Sequence, residues 1–277
     1  MTTDPPTTTI GHCFFWLLIV MFTPDLPNPN AKLAVLIDAD NISAAHVEAL
    51  MSEIATLGRG SVRRIYGDWT KPQLASWKNV LLNYSLQPIQ QFAYTTGKNA
   101  TDACMIIDAM DLLYTQRFEG FCLVTSDSDY TRLAQRIREQ GLYVFGFGKQ
   151  QTPKPFTQAC DRFTYLEMLD NAKSAAEVDF YDSADMLFST EQNQFKPIDV
   201  AITMVKMAII NVADDAGWAH LAPVKNHLLK IEPDFDTRLF GFSKFSDFLR
   251  AYPRHFEMEE RYPNNDHHKA VFVRNRS

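Results

Sequence analysis

Between residues 31 and 168 the apolar positions alternate between two periods. The segment from Lys32 to Ile37 is an apolar run, as a strand buried on both faces requires. Ser43 can cap a helix running to about Leu57, which Gly58 and Gly60 close. Val62–Trp69 reads as a second strand, and Pro72 opens a helix that the pattern carries to Tyr84. Leu86–Tyr94 is a third strand. Thr101–Thr115 is a helix with Ala103, Ile106, Met110 and Leu113 on one stripe. Phe121–Val124 is a fourth strand, Asp129–Gln140 a helix closed by Gly141, and Leu142–Phe147 a fifth strand. Pro153–Cys160 is a short helix and Arg162–Leu166 an edge strand. Regular strand–helix alternation predicts right-handed crossovers and an α/β fold whose parallel sheet is covered on both faces.

The pattern changes twice outside this region. Residues 169–195 exchange apolar runs for Ala, Ser, Asp and Glu, and read as an acidic linker. Residues 196–277 form a second unit, with helices predicted over Pro197–Asp215, Pro223–Ile231 and Ser243–Ala251. Two strands, His255–Glu260 and Ala270–Arg274, flank a turn at Pro263–Asp266. Three helices and a hairpin in so short a span predict a winged helix-turn-helix module. Residues 1–30 read as an unstructured or apolar tail. Its apolar stretch, Ile10–Phe22, is too short for an ordinary membrane span, so no membrane span is expected. It also lacks the basic flank and small-residue cleavage site of a signal peptide. A docking tail, a signal-like anchor and an extended start with Met21 as the working initiator all fit that segment.

The net charge of −6 sits mainly in the tail and the linker. The tail has Asp4 and Asp25 and no base; residues 171–195 set Lys173 against five acids. The folded regions are therefore near neutral, which neither demands nor forbids a nucleic-acid partner. The four cysteines form no CxxC pair. That spacing predicts free thiols, no zinc site and a reducing, cytoplasmic setting.

Four aspartates carry the candidate chemistry. Asp38 ends the first strand, in Ile37-Asp38-Ala39-Asp40-Asn41; Asp127 and Asp129 follow the fourth, in Thr125-Ser126-Asp127-Ser128-Asp129-Tyr130. Asp102 opens the helix before that strand. Ligands of open parallel sheets collect at the carboxyl ends of the strands. Carboxylates converging there repel unless a divalent cation neutralises them. Mg²⁺ or Mn²⁺ held by Asp38, Asp102, Asp127 and Asp129 would activate water against a phosphodiester. Each aspartate has a simpler alternative as a helix cap, strongest for Asp129. Asn41 and Ser126 are candidate orienting groups, Lys98 a candidate phosphate contact, and Asp108 a supporting carboxylate despite lying about 240° around the helix from Asp102. In the second unit, Lys225, Lys230, Lys244 and Arg250 are candidate RNA contacts. Phe242, Phe245 and Phe248 are expected in the core rather than stacked on bases.

These motifs, with Lys98-Asn99-Ala100-Thr101-Asp102 running into Ile107-Asp108-Ala109-Met110-Asp111-Leu112-Leu113, resemble the NYN domain family of the PIN-like nucleases over about residues 31–168. The resemblance implies a Rossmann-like sheet of order 3-2-1-4-5 and a Mg²⁺- or Mn²⁺-dependent endoribonuclease site at the same four aspartates. Thr125-Ser126 departs from the Ser-Gly of many relatives. Residues 196–277, with Phe195-Lys196-Pro197-Ile198 at their start and Leu239-Phe240-Gly241-Phe242-Ser243-Lys244-Phe245 within them, resemble an OST-HTH (LOTUS) winged helix. That implies RNA binding or docking of a protein partner. Two other functions stay open: an inactive RNA-binding scaffold on the same fold, and a haloacid-dehalogenase-type phosphatase using Asp38-Ala39-Asp40.

Overall fold

The computed structural model describes residues 30–92, 100–169, 197–261 and 270–276. The apolar stretch Ile10–Phe22, Lys98, the turn expected at Pro263–Asp266 and all but the start of the expected linker lie outside them.

A six-stranded sheet forms the first unit: β1 Lys32–Asp38, β2 Arg59–Gly67, β3 Gln87–Gln90, β4 Gly120–Val124, β5 Tyr143–Gly148 and β6 Arg162–Tyr165. Every pairing is parallel, in the order β3-β2-β1-β4-β5-β6. This is the expected 3-2-1-4-5 order with β6 added at the edge. Between the strands lie α1 Val47–Leu57, α2 Ala75–Lys78, α3 Ala100–Tyr114, α4 Thr131–Glu139 and α5 Lys154–Ala159.

β1 shows why the sheet is central. Leu33, Val35 and Ile37 pack into one layer with Val47, Leu50 and Ile54 of α1. Ala34 and Leu36 pack into the opposite layer with Met105 and Ala109 of α3 and Leu133 and Ile137 of α4. Each large aliphatic side chain so buried contributes about 1.5–3 kcal/mol. The helix expected to run from Pro72 to Tyr84 is shorter than the pattern suggested. A 3₁₀ turn at Pro72–Leu74 and α2 end at Lys78, and the chain then turns through Ser85, whose φ is 52°. Leu82, an apolar position of that pattern, points into solvent.

The second unit is the expected winged helix. It contains α6 Ile198–Val212, α7 Leu221–Ile231 and α8 Phe245–Ala251, with a small antiparallel sheet of β7 Ala219–His220, β8 Phe256–Arg261 and β9 Ala270–Asn275 in the order β7-β9-β8. Phe245 and Phe248 are buried in its core, and Phe242 packs edge-on against Phe248 at 5.6 Å. The three are core residues, as expected.

The two units touch. The Phe163 amide donates to the Pro233 carbonyl at 2.8 Å, and the Tyr165 hydroxyl to Asp234 at 2.9 Å. Glu53 of α1 receives Arg162 of β6 at 2.8 Å and Arg238 of the second unit at 3.0 Å. Cys104, Cys122 and Cys160 are free thiols; the last two are buried.

Candidate metal centre and active site

The register places the site. Ile37 is paired with Val124, so the next residues, Asp38 and Thr125, emerge side by side at the carboxyl edge of the sheet. The Thr125 hydroxyl donates to Asp38 Oδ2 at 3.1 Å and accepts from the Asp127 amide at 3.2 Å. One threonine thus ties the β1 and β4 loops together. Gly148 at the end of β5 permits this approach: a Cβ there would meet the Thr125 carbonyl oxygen at 2.6 Å.

Asp102, Asp127 and Asp129 converge, each offering a carboxylate oxygen within 4.8 Å of the others. Asp102 stands in the first turn of α3, where the Tyr130 hydroxyl donates to its Oδ1 at 2.8 Å. Asp127 caps the 3₁₀ turn Ser128–Tyr130 through a 2.9 Å bond from the Asp129 amide. The capping role weighed for Asp129 therefore belongs to Asp127, and Asp129 sits inside the turn it caps. Burial, opposed by the Tyr130 bond, holds the Asp102 carboxyl above its ordinary range, and the charges of Asp127, Asp129 and Asp40 push the same way.

Asp38 is not in that set. It is 1% exposed, and its oxygens accept from the Asp40 amide at 3.1 Å, Asn41 Nδ2 at 2.7 Å and Thr125. Burial raises its pKa to about 6; the Asn41 and Thr125 bonds oppose this, while Asp102 and Asp40 add to it. Asp38 is therefore a buried carboxylate alongside the trio. Asn41 thus holds the Asp38 carboxylate in place.

The other candidates separate. Ser126 accepts from the Lys149 amide at 2.8 Å, which ties its loop to the residue after β5. Asp108 receives Arg64 and the Tyr66 hydroxyl, both at 2.9 Å, and lies outside the trio. The helical geometry that made its membership doubtful decides this. Arg250 pairs with Asp247 at 3.4 Å and Glu260 at 3.5 Å. Lys225 and Lys244 line one cavity and Lys230 its neighbour.

Sequence reading missed Thr125, Tyr130 and two lysines. A groove of about 660 Å³ starts at Asp40 and Asn41 and is flanked by Lys71, Gln73, Ser76 and Lys149. Asp40 accepts from the Thr101 hydroxyl at 3.0 Å at the mouth of the site.

Clustered carboxylate oxygens are the kind of donor that hard divalent cations take. Residues 32–167 match the NYN domain, and residues 196–268 match the OST-HTH/LOTUS domain. The chain is a member of the NYN domain family that also carries an OST-HTH/LOTUS domain. NYN domains are of ribonuclease type and OST-HTH domains bind RNA. No curated protein matches the chain. A solution NMR structure of an uncharacterized Nitrosomonas europaea protein is similar at 32% identity over 36% of this chain and 93% of its own, with a TM-score of 0.29. A crystal structure of a Vibrio parahaemolyticus protein of unknown function is similar at 17% identity over 51% of this chain and 94% of its own, with a TM-score of 0.41. Among the described residues, no helix of this NYN protein is long and apolar enough to cross a membrane.

Proposed function

We propose that the protein is a Mg²⁺- or Mn²⁺-dependent endoribonuclease whose metal is held by Asp102, Asp127 and Asp129. The convergence of those three carboxylates carries the reading. It fits the ion in kind of donor, since such ions take carboxylate oxygens and keep several waters. When bound, the ion supplies a Lewis acid for the scissile phosphate and acidifies water.

The chain's own residues do the rest. Tyr130 fixes the rotamer of Asp102 through its hydroxyl, and the Asp129 amide fixes that of Asp127. Thr125 holds the Asp127 loop against β1 through Asp38. Lys71 and Lys149 flank the groove that reaches Asp40, where they meet the phosphates of a strand entering the site. The domain assignment that goes with this reading is a nuclease unit over 31–168, a linker over 169–195 and an RNA-holding unit over 196–277.

The phosphatase alternative requires Asp38 to attack phosphorus. Its carboxylate is buried and accepts three hydrogen bonds, which presents no free oxygen to a substrate. The scaffold alternative keeps every contact described and drops turnover. The test is incubation of the purified protein with an end-labelled RNA, with Mn²⁺ or with EDTA. Internal cleavage that needs the metal is the expected result. Binding without cleavage in either condition would leave the scaffold.

A further inference from the structure

The acidic centre accounts for one end of the first unit. The seam between the units has the opposite character. A cavity of about 300 Å³ there is lined by Arg162 of β6 together with Lys225, Arg238 and Lys244 of the second unit. Against these four cations stand two lining acids, Glu53 and Asp236. A local excess of two positive charges in a chain of net charge −6 marks the seam as a place for an anion.

The hydrogen bonds show which cations are already committed. Arg238 is spent: it grips Asp236 and Glu53 with bonds of 2.7–3.2 Å from Nε and both terminal nitrogens. Arg162 gives a single nitrogen to Glu53, at 2.8 Å. The side-chain ammonium groups of Lys225 and Lys244 make no hydrogen bond or ion pair among the described residues. Partial loss of water, with the Arg162 and Arg238 charges beside it, holds the Lys225 ammonium below its ordinary range. An anion seated among these groups would relieve that crowding. A neighbouring cavity of about 150 Å³ shares Arg162 and adds Lys230, with Arg138 paired to Asp161 at 3.0 Å, so Lys230 extends the positive lining along the seam.

We infer that this seam binds phosphates of the RNA backbone, with Lys225 and Lys244 of the second unit and Arg162 of the first as the contacting groups. One RNA strand is then gripped by both units at once. This rests on the RNA-binding character of the second unit, and not on catalysis by the first. Three strand spacings of about 4.8 Å separate β1 from β6. Arg162 also opens β6, whereas the acidic centre follows the carboxyl ends of β1 and β4, so the seam lies further from that centre than this lateral spacing alone. A seam occupied by RNA would also hold the two units in one orientation during turnover.

The chemistry recognised is phosphate, which a small free anion could also supply. The test uses the full chain in EDTA, so that cleavage plays no part. Fluorescence anisotropy follows binding of a single-stranded RNA about 16 nucleotides long between about 50 and 200 mM salt. Each phosphate contact to a single strand contributes about 0.7 to the slope of log K against log salt. The double variant Lys225→Gln/Lys244→Gln should flatten that slope by about 1.4 and weaken binding by about 25-fold near 0.1 M salt. Lys225→Arg/Lys244→Arg should retain both. The control Lys78→Gln/Lys154→Gln removes the same charge from exposed lysines elsewhere and should leave the slope unchanged. Equal slopes for wild type and the seam variant would overturn the inference and point to an acidic protein partner. A second arm measures thermal melting in phosphate against chloride at equal ionic strength. Stabilisation by inorganic phosphate that the seam variant loses, with RNA binding untouched, would assign the cavity to a small anion and also overturn it.

Discussion

Replacing Asp38 with Asn separates the charge of this residue from its shape. In the metal-free protein its carboxyl has a pKa raised from an ordinary 3.8 to about 6. At about 1.4 kcal/mol per pH unit, ionising it in place costs about 3 kcal/mol more than ionising it in the unfolded chain. The folded state therefore holds an extra proton between about pH 4 and 6, and wild-type stability falls as pH rises through that window. Above pH 6 the loss is complete. An asparagine carries no such cost. Its amide can occupy the Oδ2 side, where the Thr125 hydroxyl can accept instead of donate and the Asn41 amide can flip. Its carbonyl then keeps the Asp40 amide. Exchanging charge-assisted for neutral bonds costs about 1 kcal/mol. The variant should thus be about 1–2 kcal/mol more stable than wild type at pH 8 in EDTA, about 5 °C in melting temperature. The gap should close towards pH 4. Circular-dichroism melts across that range measure it. A variant that melts at or below wild type at pH 8 would refute the view of Asp38 as an anion strained by burial. Because Asp38 also aligns Thr125, and through it the Asp127 loop, cleavage with Mn²⁺ should fall about 10–100-fold.

Other expectations follow from the same contacts. Glu53→Ala leaves Arg162 and Arg238 without their shared partner across the seam; a loss of about 2–3 kcal/mol is expected in denaturant unfolding, or two resolved transitions where the units uncouple. Gly148→Ala forces the Thr125 carbonyl to move, and should cost about 1–3 kcal/mol together with activity, read as a lower melting temperature and slower cleavage. Lys71→Ala/Lys149→Ala removes the flanks of the groove; steady-state kinetics should show a raised KM with little change in kcat.

The strands were legible because burial on both faces leaves unbroken apolar runs, as in Leu33–Ile37. The strand order came only with the family resemblance. Aspartates at strand ends were legible for a related reason: a carboxylate next to such a run has few harmless explanations. How they divide was not. Asp38 and Asp127 are both strand-end residues, yet only the register shows one buried under Thr125 and the other pointing to Asp102. Thr125 and Tyr130 carry no signal of their own, since hydroxyls that fix carboxylates look like any others until the chain is folded. β7 is two residues long and has no period to detect. The helix expected after Pro72 followed a real apolar pattern, and Leu74 and Trp77 are buried, but Leu82 finds no core. The Lys71–Lys149 groove and the seam lysines join positions far apart in sequence, so only tertiary structure assembles them.

The central claim is that Asp102, Asp127 and Asp129 hold the ion that cleaves RNA. Asp127→Asn tests it most directly, because asparagine keeps the cap on the following turn at almost no cost in stability and removes one charge from the trio. The measurement is the single-turnover rate of cleavage of an RNA hairpin at saturating enzyme, across a titration of Mn²⁺. The variant should melt like wild type, need a higher Mn²⁺ concentration and cleave about a thousandfold more slowly. A variant that cleaves at the wild-type rate with the wild-type Mn²⁺ dependence would return Asp127 to a helix cap and remove the metal centre from this account.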